Sequence, residues 1–240
     1  MRKALIIGAT LLWTTWAFGS SENVSVDYRK ADSIATHYQG HELGNLMLLS
    51  HRLTANLDTD VEKFRAIYRW VCDNIAYDYG YFALNKSKRD KYQHQPQKLA
   101  VWNQEFSKRV FQRLLKHKKT VCTGYAYLVR ELATFAGIEC QIVDGYGRSA
   151  VANLKGEGIP NHSWNAVKLA GQWYLCDPTW STGFVDSRGT FHKKFKEAYF
   201  LTKPQVFVQN HYPLDSRWLL LDKSSKSGAS SSNNQRESSG

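Results

Sequence analysis

Asn161-His-Ser-Trp-Asn-Ala-Val-Lys-Leu-Ala-Gly-Gln-Trp-Tyr-Leu-Cys-Asp-Pro-Thr-Trp180 holds two strand-like runs, His162 to Leu169 and Gln172 to Asp177, with Ala170-Gly171 as a two-residue hairpin turn between them. If Leu169 pairs with Gln172, Asp177 falls opposite Trp164, one step along the same face from His162. Such diagonal positions lie roughly 7–8 Å apart at the backbone, within reach of an imidazole leaning on a carboxylate. Trp173 and Leu175 share the face and would shield the pair from water, which strengthens its attraction.

Upstream of the hairpin lies a helical pattern that starts near Cys122, continues through Leu128, Val129, Leu132 and Ala136, and stops at Gly137, a residue suited to the position after a helix end. A strand-like run from Ile138 to Tyr146 follows it. Thr59-Asp-Val-Glu62 reads as a capping box before Phe64, Ile67, Tyr68, Val71 and Ile75, predicting a helix over about 60–76. Another helical pattern runs through Trp102, Phe106, Val110, Phe111, Leu114 and Leu115. Helices first and antiparallel strands afterwards predict an α+β fold, helical to about residue 136 and sheet-forming from 138 to 221.

Cys122 is thereby placed in the first turn of a helix, where partial positive charge favours the thiolate that does nucleophilic chemistry. A nucleophilic thiol also needs a base within hydrogen-bonding reach, and the base needs a third group to fix its tautomer. The hairpin can supply both, as His162 and Asp177. Spacing alone is a weak signal, because a buried Cys is more often inert core and a strand His more often structural.

The residues around these three sharpen the reading. Thr120-Val-Cys-Thr-Gly-Tyr-Ala126, Asn161-His-Ser-Trp-Asn-Ala-Val167 and Trp173-Tyr-Leu-Cys-Asp-Pro-Thr-Trp180 resemble, in order, the Cys, His and Asp motifs of the transglutaminase-like superfamily. Tyr68-Arg-Trp-Val-Cys-Asp-Asn-Ile-Ala-Tyr-Asp78, Ala198-Tyr-Phe-Leu-Thr-Lys-Pro204, His211-Tyr-Pro213 and Trp218 look like its kyphoscoliosis-peptidase-like branch, over roughly residues 45 to 221. The resemblance implies a papain-like core with the Cys at the head of a helix packed on an antiparallel sheet that presents His and Asp. It further implies that Cys122 attacks an amide carbonyl, His162 shuttles the proton, Asp177 orients His162, and water or an amine resolves the thioester. The Cys122 backbone N–H is one natural oxyanion donor. Tyr77 and Trp70 are candidates for a second, with core packing the stronger reading for Trp70, and Trp164 and Trp180 are candidates for contacts to substrate. No cofactor is implied.

Composition frames these motifs. At 240 residues and 42% hydrophobic content, one domain with a well-buried core is the default. Arg2 and Lys3 followed by the apolar run Ala4 to Phe18 read as a signal peptide over 1–19, so an exported protein, periplasmic or extracellular, is expected. Residues 223–240 are Ser-rich and nearly free of apolar side chains, as a disordered tail is. Of the formal charge of +11, a segment from Lys86 to Lys119 carries eleven Lys or Arg against Asp90 and Glu105. That segment reads as a solvated helix face, or as a dock for an anionic wall polymer or a membrane surface.

Nucleic acid is set aside, since no accompanying motif supports it, and no glycine loop of the phosphate-cradling kind is present. His37 and His41, spaced i and i+4, could share a helix face, but no third ligand is evident and no metal site is expected. Cys140 and Cys176 sit on strands that could neighbour one another and form a disulfide, whereas Cys72 is spaced like a core residue. The function expected is a cysteine peptidase or amidase acting on protein or peptide. The alternatives are a protein-glutamine cross-linking transferase and a non-catalytic wall-binding module.

Overall fold

The computed structural model describes residues 26–148 and 159–221. The expected signal peptide and Ser-rich tail lie outside them. Helices α1 (Arg29–His37), α2 (Leu46–Thr54) and α3 (Asp60–Asn74) come first, followed by the short strand β1 (Ala76–Tyr77) and a helical hairpin of α4 (Tyr79–Tyr92) and α5 (Pro96–His117). Strand β2 (Lys119–Thr120) leads into α6 (Cys122–Phe135), and β3 (Cys140–Gly147), β4 (His162–Leu169) and β5 (Gln172–Cys176) follow. The chain continues through α7 (Pro178–Thr182), β6 (Gly183–Val185), β7 (Phe191–Lys193), α8 (Pro204–Phe207) and β8 (His211–Pro213).

The main sheet runs β5-β4-β3-β8, antiparallel throughout. Its register includes Leu169 opposite Gln172, and the turn residues Ala170 and Gly171 take φ of 48° and 83°, the left-handed pair that a tight hairpin of matching twist requires. One face packs on α6 and α3, burying Val167, Leu169 and Cys176 with Phe64, Ile67, Trp70 and Leu132. The other face buries Val143, Trp164, Ala166 and Leu175 beneath Phe207. The sheet is therefore covered on both sides, and its site-bearing end lies where α6 begins.

Local chemistry explains the two helices that matter most. The Thr59 hydroxyl accepts from the Glu62 N–H while the Glu62 carboxylate accepts from the Thr59 N–H, so the expected capping box starts α3. Helix α6 ends before Gly137, whose φ of 77° suits a residue without Cβ. At its start, Val121 offers no side-chain acceptor, so the first-turn N–H groups around Cys122 are left for another partner.

Gly124, in the same turn, is needed for space, since a Cβ there would sit 1.8 Å from the Thr120 hydroxyl oxygen. Gly124→Ala is expected to lower stability by about 1–3 kcal/mol, as overpacking does. Urea unfolding would measure it, and a Thr120→Ala background, which removes the atom that is met, should restore part of the loss.

Three expectations are corrected. Strand β4 lies between β3 and β5, because consecutive hairpin strands form a meander, so Cys140 and Cys176 sit two strands apart and all four cysteines are free thiols. Helix α1 ends at His37, and the His41 ring turns back to the Glu42 carbonyl, so the two histidines do not share a helix face. The basic segment is two helices rather than one; α4, which buries no residue, is the unexpected one. Its cap is Asp78, which accepts from the Tyr81 N–H and pairs with Arg113 of α5 at 2.5 Å. Among the described residues no helix is long and apolar enough to cross a membrane.

Candidate active site

The first turn of α6, the start of β4 and the end of β5 converge on one cleft of about 460 Å³, lined by Cys122 and His162 together with Tyr77, Trp180, Phe184, Phe191, Lys196 and Tyr199. Asp177 follows β5 directly and caps α7, its Oδ1 accepting from the N–H groups of Thr179 (2.8 Å) and Trp180 (3.2 Å). Its other oxygen, Oδ2, accepts from His162 Nε2 at 2.7 Å. With Nε2 thus committed, Nδ1 is the ring nitrogen left for the Cys122 thiol, whose pKa His162 acts to lower. The three residues singled out from the sequence are brought together in the order thiol, imidazole, carboxylate.

Asp177 and His162 are buried, at 0% and 8% exposure, and Cys122 is half-buried at the cleft wall. Burial alone would raise the thiol's pKa, but the His162 hydrogen bond and charge, joined by the Ser163 N–H, outweigh it and hold Cys122 below the ordinary thiol value. For His162 burial acts to lower the pKa, and the Asp177 charge and hydrogen bond, with Cys122 behind them, lift it to about 10. Burial of Asp177 is overcome in turn by His162 and His211, which keep the carboxylate well below its usual range. Both shifts run in the direction of a thiolate–imidazolium pair, the reactive state of a cysteine nucleophile.

The imidazole is fixed by its surroundings. Trp180 stacks on it with centroids 5.3 Å apart, and Gly147 backs it so closely that a Cβ would meet the ring at 2.9 Å. The Asn161 side chain holds that glycine by accepting from its N–H at 2.8 Å.

The remaining sequence candidates divide. Tyr77 and Trp180 line the cleft as expected. Burial, and then the nearby Cys122, push the Tyr77 hydroxyl well above its ordinary pKa, so it stays a protonated donor. Trp70 is fully buried with its indole N–H on the Tyr38 carbonyl at 2.8 Å, which makes it core and removes it from the oxyanion candidates. Trp164 is 1% exposed behind His162, packed on Phe207 and His211, and cannot touch substrate.

Sequence reasoning missed His211, whose Nε2 also reaches Asp177 Oδ2, at 3.1 Å. It gave Lys196 no role either; His211 entered the sequence reading only within the His211-Tyr-Pro213 resemblance, and it is the long-range fold that brings both residues to the site. His162 Nε2, His211 Nε2 and Asp177 Oδ2 lie within 4.8 Å of one another, a set able to ligate a metal ion. Both nitrogens, however, donate protons to the carboxylate, so the set is a proton-sharing network.

The model of the family described as "Transglutaminase-like superfamily" matches residues 48–178. This chain belongs to the transglutaminase-like superfamily. Human kyphoscoliosis peptidase is 32% identical over 214 residues, covering 86% of this chain and 29% of that protein. Hillarin of Drosophila melanogaster is 25% identical, covering 82% of this chain and 23% of its own length. The chain thus spans less than a third of either relative. A TGase crystal structure aligns with 17% identity over 75% of this chain and 40% of its own, with a TM-score of 0.37. A putative cysteine protease from Cytophaga hutchinsonii aligns with 18% identity over 70% and 43%, with a TM-score of 0.36.

Proposed function

We propose that the protein is a cysteine peptidase or amidase with Cys122 as nucleophile, His162 as proton carrier and Asp177 as its orienting carboxylate. The observation that carries this reading is the buried His162–Asp177 hydrogen bond beside a cleft-lining thiol held below its ordinary pKa at an uncapped helix N-terminus. In the reaction, the Cys122 thiolate adds to the amide carbonyl carbon and the electron pair moves to oxygen. The backbone N–H of Cys122 and the Tyr77 hydroxyl are the donors available to that oxyanion. The oxyanion collapses as the C–N bond breaks, His162 gives its proton to the leaving amine, and a thioester remains. Water, deprotonated by His162, attacks the thioester; the acid leaves, and the thiolate and imidazolium are restored.

An amine in place of water would make the same thioester a cross-linking donor. The cleft's charge favours water. Its described lining carries Lys196 and no Asp or Glu, so a lysine ammonium acceptor would be repelled and an acidic substrate drawn in. The aromatic walls suit an apolar or aromatic side chain beside that negative charge.

The deciding experiment offers a glutamine-containing peptide together with a fluorescent amine. Cleavage or deamidation without label supports hydrolysis; a labelled peptide as the main product overturns it. In the hydrolytic assay, peptides with Asp beside the scissile residue should surpass their Lys counterparts by about tenfold in kcat/KM, worth roughly 1.4 kcal/mol. Lys196→Glu should reverse the preference, and added salt should compress it.

A further inference from the structure

Asp177 serves two imidazoles, and the reaction as described uses one. His211, at the head of β8, is 0% exposed and sends Nε2 to the Oδ2 atom that also receives His162. Four N–H groups then converge on one buried carboxylate, two from backbone on Oδ1 and two from imidazole on Oδ2. Because Asp177 is ionised and carries no proton, both ring nitrogens facing it must be protonated.

Everything else about His211 fixes its ring. It stacks on Phe207 with centroids 3.9 Å apart and planes 21° apart, and Trp180 and Trp164 close its other sides at 4.5 and 5.0 Å. On its far side Nδ1 meets the Asn210 side-chain oxygen, Oδ1, at 2.5 Å. The titratable groups it faces are Asp177, His162 and, edge-on, Tyr199. It does not line the cleft and touches no substrate position.

We propose that His211 is a positioning residue that keeps Asp177 ionised and aimed at His162 through the whole cycle, an inference that rests on the nucleophile reading above. The need arises when His162 gives up its proton to the leaving amine. At that moment the buried carboxylate loses its cationic partner, and a second N–H on the same oxygen stabilises the bare anion. His211 can do this only if it does not itself take the catalytic proton. With Nε2 committed to Asp177 Oδ2 and Nδ1 facing Asn210 Oδ1, neither ring nitrogen is open to the catalytic proton, and burial, which outweighs Asp177's opposing pull, holds its pKa below the ordinary imidazole value. The join of β8 to the β3 edge, with Gly147 opposite His211, is what carries the ring to this place.

The test compares His211→Phe with His211→Gln, the second keeping an N–H of similar reach. Two readouts are taken on the folded full chain: kcat and KM on a cleaved peptide, and the pH midpoint for iodoacetamide alkylation of Cys122. His211→Phe is expected to lower kcat about 10- to 100-fold, the worth of a hydrogen bond to a charged group, with KM nearly unchanged. It should also move the alkylation midpoint, and His211→Gln should recover most of both. Equal losses in the two variants, or an unmoved midpoint despite lost kcat, would overturn the proposal by making His211 only a packing residue. Should His211→Phe fail to fold, His211→Asn, too short to reach Asp177, takes its place against His211→Gln. Failure of the underlying reading shows separately, in the unsubstituted protein, as Cys122 alkylated no faster than the other cysteines.

Discussion

Cys122→Ala is expected to abolish amide cleavage, lowering kcat by about 10⁴-fold or more, as loss of a member of a nucleophile–base unit does. The fold should survive, because Cys122 is only half-buried and a helix N1 position accepts alanine. Chemical labelling gives the same result without a substrate. Burial pushes Cys140 up to about 12 and Cys72 and Cys176 well above the ordinary thiol value, so these three are almost wholly protonated near neutrality. At pH 7 a thiol of pKa near 12 is thiolate in only about one part in 10⁵. Iodoacetamide at pH 6 to 7 should therefore place a single adduct, on Cys122, and Cys122→Ala should remain unlabelled. In His162→Ala the burial that opposes ionisation acts with its main counterweight gone, and the alkylation midpoint should rise toward or beyond that of a free thiol, about 8.5. Equal, slow labelling of all four cysteines, mapped by mass spectrometry, would contradict the nucleophile.

What could be read in advance follows from which forces are local. The β4–β5 hairpin was legible because its alternation and its Ala170-Gly171 turn determine register within twenty residues, and register alone brought His162 to Asp177. Helix α3 announced itself through its capping box, and α6 through its apolar period and Gly137. Helix α4 was missed because it has no fully buried residue: of its apolar side chains Tyr81 and Phe82 pack against Phe106 and Val110 while Leu84 is exposed, and the start signal was a lone Asp78 cap. Trp164 misled, and Trp70 was read as core ahead of cleft, because an aromatic beside a motif looks the same in sequence whether it faces a cleft or the core. His211 was beyond reach for a different reason: its partner strand β3 lies more than sixty residues earlier, and no local rule pairs them.

Substituting Asp177 should produce the largest combined loss of activity and stability, because one carboxylate performs three tasks. It caps α7, orients His162 and holds His211. Asp177→Ala leaves two buried imidazole N–H groups and two backbone N–H groups without an acceptor, and should cost about 3–5 kcal/mol in urea unfolding, as removal of one partner from a buried charged network does. Asp177→Asn separates the tasks. Its amide oxygen can still cap α7, but its NH₂ meets two nitrogens that both donate, so His162 must shift its proton to Nδ1 and face the thiol as a donor rather than a base. Activity should then fall by about 10⁴-fold with a smaller loss of stability, the signature of a wrong tautomer. The pH dependence follows the same groups. Asp177's pKa is depressed on folding, so its contribution is complete above the unfolded value of about 3.9 and fades as pH falls below it. His162's pKa is raised, so its contribution is complete below about 6.5 and is lost as pH rises through about 10. The unsubstituted protein should be most stable between those limits, and Asp177→Asn should flatten both limbs together. An acid limb that persists unchanged in Asp177→Asn would show that other carboxylates govern it and that Asp177 is not the anchor of the site.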